Sequence, residues 1–511
     1  MTIISQAPCR ISLVGGGTDV NPFAFKFGGQ VLSLAINLYY NVELSPRQDN
    51  QIFISALNQH RKLKLSDLPI AYHQDPDFDL LYAILNHFRP KFKSGFNLSV
   101  STNAQSVLGL GSSAAAGVAV IQAINHWQNL KLTKAKIANL AYQMEVKELG
   151  WSGGKQDQYA ASFGGINLIT FGPKDKVLVK PINLSPNLLA KLKSHLLLFY
   201  LGGKRHSSKQ QEKLIQGMSQ EDKHQALLRL KASVDQAVIS VSKADWNNLG
   251  KILDQSWQDK KQSNPAVTNS QIDKLYQLAL DQGAFGGKII GSGAAGHMFF
   301  LIPPEKHSSI IKAFAKENVK PVEFEIDFQG VGSHSVYIRP DFKPKKNWAV
   351  FFDRDGVLNK EVQFLSRIKD LKLIPKAIEA VKKLNQKNIP VIVVHNAAAV
   401  ARNLCSQAMV EKINQSLIDG FAKKGAIIDA LFYCPHHFDA YNPDFKLNCS
   451  WRKPKSGMLL TAADLFKLDL SKSFLLGDQE RDIQAGQAVK AKTFLIKSGQ
   501  DILSAVDKIS L

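Results

Sequence analysis

At 511 residues the chain exceeds one ordinary domain, and two or three are expected. Hydrophobic residues make up 45% and charged residues 21%, which supplies material for cores and excludes a disordered or fibrous chain. The net charge of +21 admits nucleic-acid binding, but the lysines are dispersed, as in KKNW, VKKLNQK and FAKKG, with no stacking aromatics among them. A basic surface on an enzyme that handles several phosphates is therefore the expectation, and a basic RNA-binding protein explains the charge alone.

The start, MTIISQAPCRISLVGGGTD, enters structure without a charged n-region or cleavage site, and no apolar run reaches the ~18 residues that cross a bilayer. Cys9, Cys405, Cys434 and Cys449 are too few and too scattered for a disulfide framework. The expectation is a cytoplasmic protein with no membrane and no nucleic-acid partner.

In chain order, a strand from Arg10 to Val14 breaks into Gly15-Gly16-Gly17, and SVLGLGSSAAAGVAVIQAI is a glycine loop that opens an alanine-rich helix. A helix-like stretch at 185–193 leads to the strand HLLLFYLGG, and GGKIIGSGAAGHMFFL is a third glycine loop between apolar segments. Glycines let backbone N–H groups approach an anion, and a helix starting there adds its positive dipole end. Ser112 and Ser113 offer hydroxyls to a phosphate or to its Mg²⁺. The loop at Gly109 lacks the Gly-Lys-Ser/Thr ending of a Walker loop and the ribose carboxylate of a dinucleotide fold. RPDFKPKKNW, Arg339 to Trp348, is a proline- and lysine-rich joint, after which a strand–loop–helix rhythm takes over. The expected domains are 1–190 and 191–340 as two lobes, 341–347 as linker, and 348–511.

APCRISLVGGGTD, GLGSSAA and GGKIIGSGAAGH resemble, in that order, the three motifs of the GHMP kinase superfamily over residues 1–339. MEVKELGWSGGKQDQYAASFGGIN and YLGGKRHSS look like the sugar kinases that phosphorylate the anomeric position of heptose 7-phosphate, with fucose kinases close by. The resemblance implies a two-lobed fold using ATP and Mg²⁺. It makes Asp157 the residue that accepts or orients the attacking hydroxyl proton, and Arg10 its basic partner. It implies that Gly109, Leu110, Gly111, Ser112 and Ser113 cradle the ATP phosphates, and that Glu145 and Ser112 hold Mg²⁺, with Ser113 the alternate. Gly16, Gly17, Thr18 and Asp19 fall in its sugar site. Arg205 is the candidate for the sugar's distal phosphate, with Lys155 and Lys204 behind it. Leu201 departs from the threonine that relatives often carry.

AVFFDRDGVLNKE sets Asp353 and Asp355 directly after a buried strand. Two carboxylates one residue apart point the same way off an extended backbone, so one can attack a phosphoryl group while the other handles the leaving-group proton. FLLGDQERDIQAG supplies Asp478 and Asp482, and SWRKPKSGML supplies Arg452 and Lys453. This pattern resembles the haloacid dehalogenase (HAD) superfamily, which implies a Rossmann-like domain and an α/β and α+β chain as a whole. CPHHFD…NCSWRKPKSGMLL looks like the heptose 1,7-bisphosphate 7-phosphatases. The resemblance implies Asp353 as nucleophile, Asp355 as acid/base, Lys453 as phosphate stabiliser, Arg452 as a substrate contact, and Asp353, Asp355 and Asp478 as the Mg²⁺ set.

Two departures stand out. Those relatives hold a structural zinc in a C-x-H…C-x-C run; here Cys434, His436 and Cys449 remain but Trp451 replaces the last cysteine. A zinc site, with His437 as a substitute if its loop shifts, and a metal-free loop packed on the indole both stay open. In PVIVVHNAAAVARN the relatives' threonine, asparagine, glutamine, serine and glycine become His395, Asn396, Ala397, Ala398 and Ala399. His395 can donate one N–H to a phosphate, or carry a charge if protonated, and Asn396 keeps an amide there. The two resemblances name consecutive reactions on a small sugar phosphate, with ATP as phosphate donor, on the way to a nucleotide-activated heptose for surface polysaccharide. The expected function is a bifunctional kinase–phosphatase; the alternative is a kinase whose HAD-like part binds without cutting.

Overall fold

The structure, a computed structural model, describes residues 1–510 apart from 105, 174–175, 204–206, 341 and 498. It divides into two compact units, Ile4–Ser333 and His334–Leu511, the latter with Met1–Ile3. The division falls before residues 341–347 because Gly332–Ile338 pairs antiparallel with Ala430–Cys434 and so belongs largely to the second unit's sheet. Among the described residues no helix is long and apolar enough to cross a membrane.

The first unit has two sheets. In one, Gly29–Pro46 is long enough to pair with Ile166–Phe171 along its first half and with Phe96–Thr102 along its second, both antiparallel. Thr2–Val14 lies on its other side in the ladder. The other sheet runs Lys320–Val322, Leu196–Tyr200, His297–Leu301, Gly286–Ile289, all antiparallel. Its strand His297–Leu301 is buried throughout. The alanine-rich helix Ser112–Trp127 is buried on nearly every side, which small residues permit: a Cβ added at Gly117 would already touch Leu80, Ile84 and Ala141 within 4 Å. A narrow apolar stripe marks a half-exposed helix; this one, apolar nearly all round, is a core helix with its N-terminus at the cavity. The helix Pro186–Ser194 and the strand after it stand where the apolar pattern puts them.

The second unit is a parallel sheet in the order Lys492–Leu495, Phe474–Gly477, Val350–Phe352, Val391–Asn396, Ala430–Cys434. Its three middle strands are buried almost to the last residue, as continuous apolar runs such as VFF and VIVV demand when helices cover both faces. Chain order reverses beside Val350–Phe352, whose neighbours are the next strand on one side and a much later one on the other. Such a switch point opens a crevice at the carboxyl ends of the strands, and Asp353 is the first residue beyond that end.

Candidate active sites

In the first unit the three glycine loops converge on one cavity, lined among others by Gly16 and Gly17, by Gly111, Ser112 and Ser113, and by Gly291 and Ser292. Arg10, on Thr2–Val14 and only 2% exposed, reaches its floor. Its Nε and Nη2 both meet Asp157 Oδ1, at 2.8 and 2.6 Å, and its Nη1 donates to Gly109 O at 2.9 Å. Asp157 stands in the first turn of the helix Gln156–Phe163, where the dipole favours a carboxylate. Gly111 has φ +78, and a Cβ there would crowd the Asp157 side chain at 3.2 Å, so the loop and the aspartate close on each other only with glycine.

Glu145 sits in a π-helical turn, Gln143–Glu148, a distortion that often marks functional sites. Gln158 Nε2 donates to its Oε2, while Oε1 is buried and accepts no hydrogen bond among the described residues. Burial pushes its carboxyl up to about 7. An orphaned buried carboxylate oxygen beside the Ser112 and Ser113 hydroxyls fits a divalent cation.

Other expected residues take different places. Asp19 lines the cavity, but its carboxylate accepts from Gln156 N at 3.0 Å, Gln156 Nε2 at 3.1 Å and Gly17 N at 3.2 Å. It positions the start of the Asp157 helix. Thr18 is not among the lining residues: its hydroxyl staples the turn at Gly15 O and Gln30 O. Gly109 and Leu110 also stand behind the lining, Gly109 O taking Arg10 and Leu110 N bonding Val107 O. Lys155 is turned inward with its ammonium 4.8 Å from the Tyr142 ring centre, so it does not line the cavity. Lys204 and Arg205 lie outside the described residues. Lys260, which no motif flagged, does line it; the helix Trp246–Ser263 delivers its Nζ to Gly291 O at 2.6 Å.

In the second unit, Lys453 Nζ lies 2.7 Å from Asp353 Oδ1, 2.6 Å from Asp482 Oδ1 and 2.8 Å from Val394 O. All three charged side chains are at most 7% exposed. Burial first, then the neighbouring carboxylates, pushes the Asp353 carboxyl up, against the pull of Lys453. Oxygens of Asp353, Asp478 and Asp482 lie within 4.8 Å of one another, and Asp478 Oδ1 is buried without a hydrogen bond among the described residues. That trio fits Mg²⁺. Asp482 was visible in the sequence only as the end of a motif, and here it joins the cluster. The Asp355 carboxylate does not: Arg354 forks it at 3.1 and 2.7 Å and Asn359 donates to it at 3.0 Å. Gly356, at φ +77, leaves the room the trio needs, since a Cβ would meet Asp478 Oδ2 at 2.4 Å.

The loop after Val391–Asn396 lines the cavity with Asn396, Ala397, Ala398 and Ala399, opposite Arg452, Arg354 and Arg481. Asn396 exchanges two hydrogen bonds of 3.0 Å with the Lys453 backbone and so fixes that lysine. His395 is absent from the lining and 1% exposed, its ring stacked on Tyr433 with centroids 5.8 Å apart. Burial, with the cations of Arg354 and Lys453 behind it, holds its pKa well below the usual imidazole range. The expected phosphate contact, charged or neutral, is therefore overturned: side chains alternate along Val391–Asn396, and His395 turns into the core beneath the loop while Asn396 faces the cavity. Cys434 and His436 approach at 3.9 Å with Cys449 close by, whereas His437 Nδ1 is taken by Asp439 N at 3.0 Å.

Models of known families match three stretches: the GHMP kinases N terminal domain at 79–165, the GHMP kinases C terminal domain at 237–320, and a HAD-hydrolase-like domain at 450–509. The chain is 33% identical over 338 residues to a D-glycero-alpha-D-manno-heptose 7-phosphate kinase of Campylobacter jejuni, covering 66% of this chain and 99% of that one. It is 35% identical over 150 residues to a D-glycero-alpha-D-manno-heptose-1,7-bisphosphate 7-phosphatase of Photorhabdus laumondii, covering 29% of this chain and 82% of that one. The crystal structure of a D-glycero-D-manno-heptose 1-phosphate kinase from Bacteroides thetaiotaomicron superposes with a TM-score of 0.54 and 27% identity, over 66% of this chain and 99% of that one.

Proposed function

The chain belongs to the GHMP kinases by its first unit and to the HAD-like phosphatases by its second, and we propose that it performs two consecutive steps on a heptose 7-phosphate. The first transfers the γ-phosphoryl of ATP to the anomeric hydroxyl; the second hydrolyses the 7-phosphate of the resulting 1,7-bisphosphate. The sugar 1-phosphate left behind is the form that a nucleotidyltransferase activates. Handling of free sugar phosphates and ATP suits a cytoplasmic enzyme.

In the kinase step, Arg10 occupies Asp157 Oδ1 and leaves Oδ2 to take the proton of the attacking hydroxyl. The N-terminus of Ser112–Trp127 and the hydroxyls of Ser112 and Ser113 receive the ATP phosphates, and Lys260 adds a cation to the same cavity. In the phosphatase step, an Asp353 oxygen attacks phosphorus and the bond to the sugar oxygen breaks as Asp355 gives that oxygen a proton. Water then attacks the aspartyl phosphate, Asp355 takes the water's proton, and phosphate leaves. Lys453 and Arg452 balance phosphoryl charge throughout. Bound Mg²⁺, held by Glu145 and Ser112 in one unit and by Asp353, Asp478 and Asp482 in the other, would supply further neutralisation of the phosphoryl oxygens.

The observation that carries this reading is that both constellations, Arg10–Asp157 and Lys453–Asp353, stand assembled in one chain. A second reading keeps the kinase and makes the second unit a binding domain; three alanines lining its cavity and an Asp355 clamped by Arg354 favour it. Phosphorus NMR of the enzyme with heptose 7-phosphate, ATP and Mg²⁺ separates them. Heptose 1-phosphate from wild type and the bisphosphate from Asp353→Asn support the first. The bisphosphate from both supports the second. No consumption of heptose 7-phosphate refutes the substrate.

A further inference from the structure

The run Cys434, His436, Cys449 lacks its fourth ligand in sequence, yet in the fold a fourth donor is present. His334, on the strand Gly332–Ile338, brings Nε2 to 3.9 Å from Cys449 Sγ. Donor atoms of His334, His436 and Cys449 lie within 4.8 Å of one another, and Cys434 Sγ is 3.9 Å from His436 Nδ1. Tetrahedral zinc with its usual bond lengths puts sulfur and nitrogen ligands roughly 3.5 Å apart, close to the two 3.9 Å approaches, while Cys434 Sγ lies outside the group of His334, His436 and Cys449 and has further to draw in. Two thiols and two imidazoles from three separate stretches of chain are a ligand set of the right count and type.

Trp451 explains how the exchange works. It stands where the relatives carry the last cysteine, and its indole lies flat on the His334 ring, with centroids 3.9 Å apart and planes 7° apart. Trp451 is itself 1% exposed and backed by Phe432. A metal-bound histidine is usually oriented by a hydrogen bond at its other ring nitrogen. His334 Nδ1 has none among the described residues, and the stacked indole fixes the ring instead.

We propose that His334 completes a zinc site with Cys434, His436 and Cys449, and that Trp451 is its positioning residue. The site ties the strand Gly332–Ile338 to the end of Ala430–Cys434 and to the segment carrying Arg452, whose Nη1 donates to His436 O at 3.0 Å. Zinc thereby supports the Arg452–Lys453 wall of the phosphatase cavity without entering it. The inference stands whether or not that cavity turns over.

The test is metal content and Co²⁺ titration of the full-length protein. Wild type is expected to carry about one zinc per chain and, as the metal-free protein, to give intense tetrahedral cobalt bands with a thiolate charge-transfer shoulder. His334→Ala is expected to lose the zinc or bind it at least ~10-fold more weakly. His334→Cys keeps a ligand and should retain zinc with stronger thiolate–cobalt absorption, which guards against a fold defect in the alanine variant. Trp451→Ala should weaken binding by ~10–100-fold while leaving the tetrahedral spectrum in place. Wild type that takes up neither metal overturns the site. Zinc affinity and cobalt spectra unchanged in both His334 variants overturn the role of His334.

Discussion

Arg10 places two of its nitrogens, Nε and Nη2, on a single oxygen of Asp157, at 2.8 and 2.6 Å. A fork that spreads over both oxygens would hold the carboxylate as a structural ion pair. Concentrated on Oδ1, it orients the carboxylate and leaves Oδ2 outside the fork. The same guanidinium is anchored by Gly109 O, so the Gly109 loop and the aspartate are positioned through one side chain.

Asp157→Asn removes the proton acceptor while keeping the shape. Anomeric phosphorylation should fall ~10²–10⁴-fold in kcat with the KM for ATP little changed. Arg10→Lys keeps the charge but loses the planar fork and should lower kcat alone. Steady-state assays with ADP release as readout decide it; an Asp157→Asn enzyme within a few fold of wild type would remove Asp157 from the chemistry.

Lys453 bridges two buried carboxylates, Asp353 and Asp482. Lys453→Met leaves both uncompensated, which costs on the order of 3–5 kcal/mol when one partner of a buried ion pair is lost. Hydrogen exchange on peptides covering 474–487 should accelerate in that variant, and Lys453→Met with Asp482→Asn should recover part of the protection. Equal exchange in the single and double variants would show that the charges are not coupled.

The candidate catalytic aspartates and their glycines were legible because chemistry there is tied to local backbone: a strand that ends, a turn that needs glycine, two aspartates in phase. Asp157 and Asp353 stand at such places. Lys260 was not legible, since a lysine in QDKKQS differs in no way from a solvated one until the helix is docked beside Gly291. His334 is a lone histidine about a hundred residues from the cysteines it meets. Thr18 and Lys155 were misplaced for the opposite reason: they belong to motif stretches, but a motif fixes the backbone path and not which side chains face the cavity. His395 fell to the same rule, since alternation along a strand decides which side chain faces the ligand.

His395 gives a pH signature. Its folded pKa is depressed by burial and by Arg354 and Lys453, while Asn414 and Tyr433 supply its other neighbours. Below about pH 6.5 the unfolded chain binds a proton that the folded one refuses, so this group's contribution to stability is whole above that value and is lost as pH falls through it. His395→Gln removes that term. The stability gap between wild type and variant, read as the urea midpoint of the second unit by pulse proteolysis, should therefore shrink from pH 7.5 to 5.5. A constant gap means the imidazole is not held neutral.

The alanine loop sets the level of the second activity. Asn396 is committed to the Lys453 backbone, so the cavity wall at 397–399 offers the phosphate no side-chain donor. Each lost polar contact is worth about 1–3 kcal/mol, or up to roughly a hundredfold in rate. Rebuilding the loop as His395→Thr, Ala397→Gln, Ala398→Ser and Ala399→Gly should raise bisphosphate hydrolysis by ~10–100-fold while kinase turnover stays the same. The background matters, because the gain must vanish when Asp353→Asn is added. If the rebuilt loop changes nothing although Asp353, Lys453 and the carboxylate trio are intact, the limit lies in the Arg354 clamp on Asp355, and Arg354→Ala then becomes the variant that should respond.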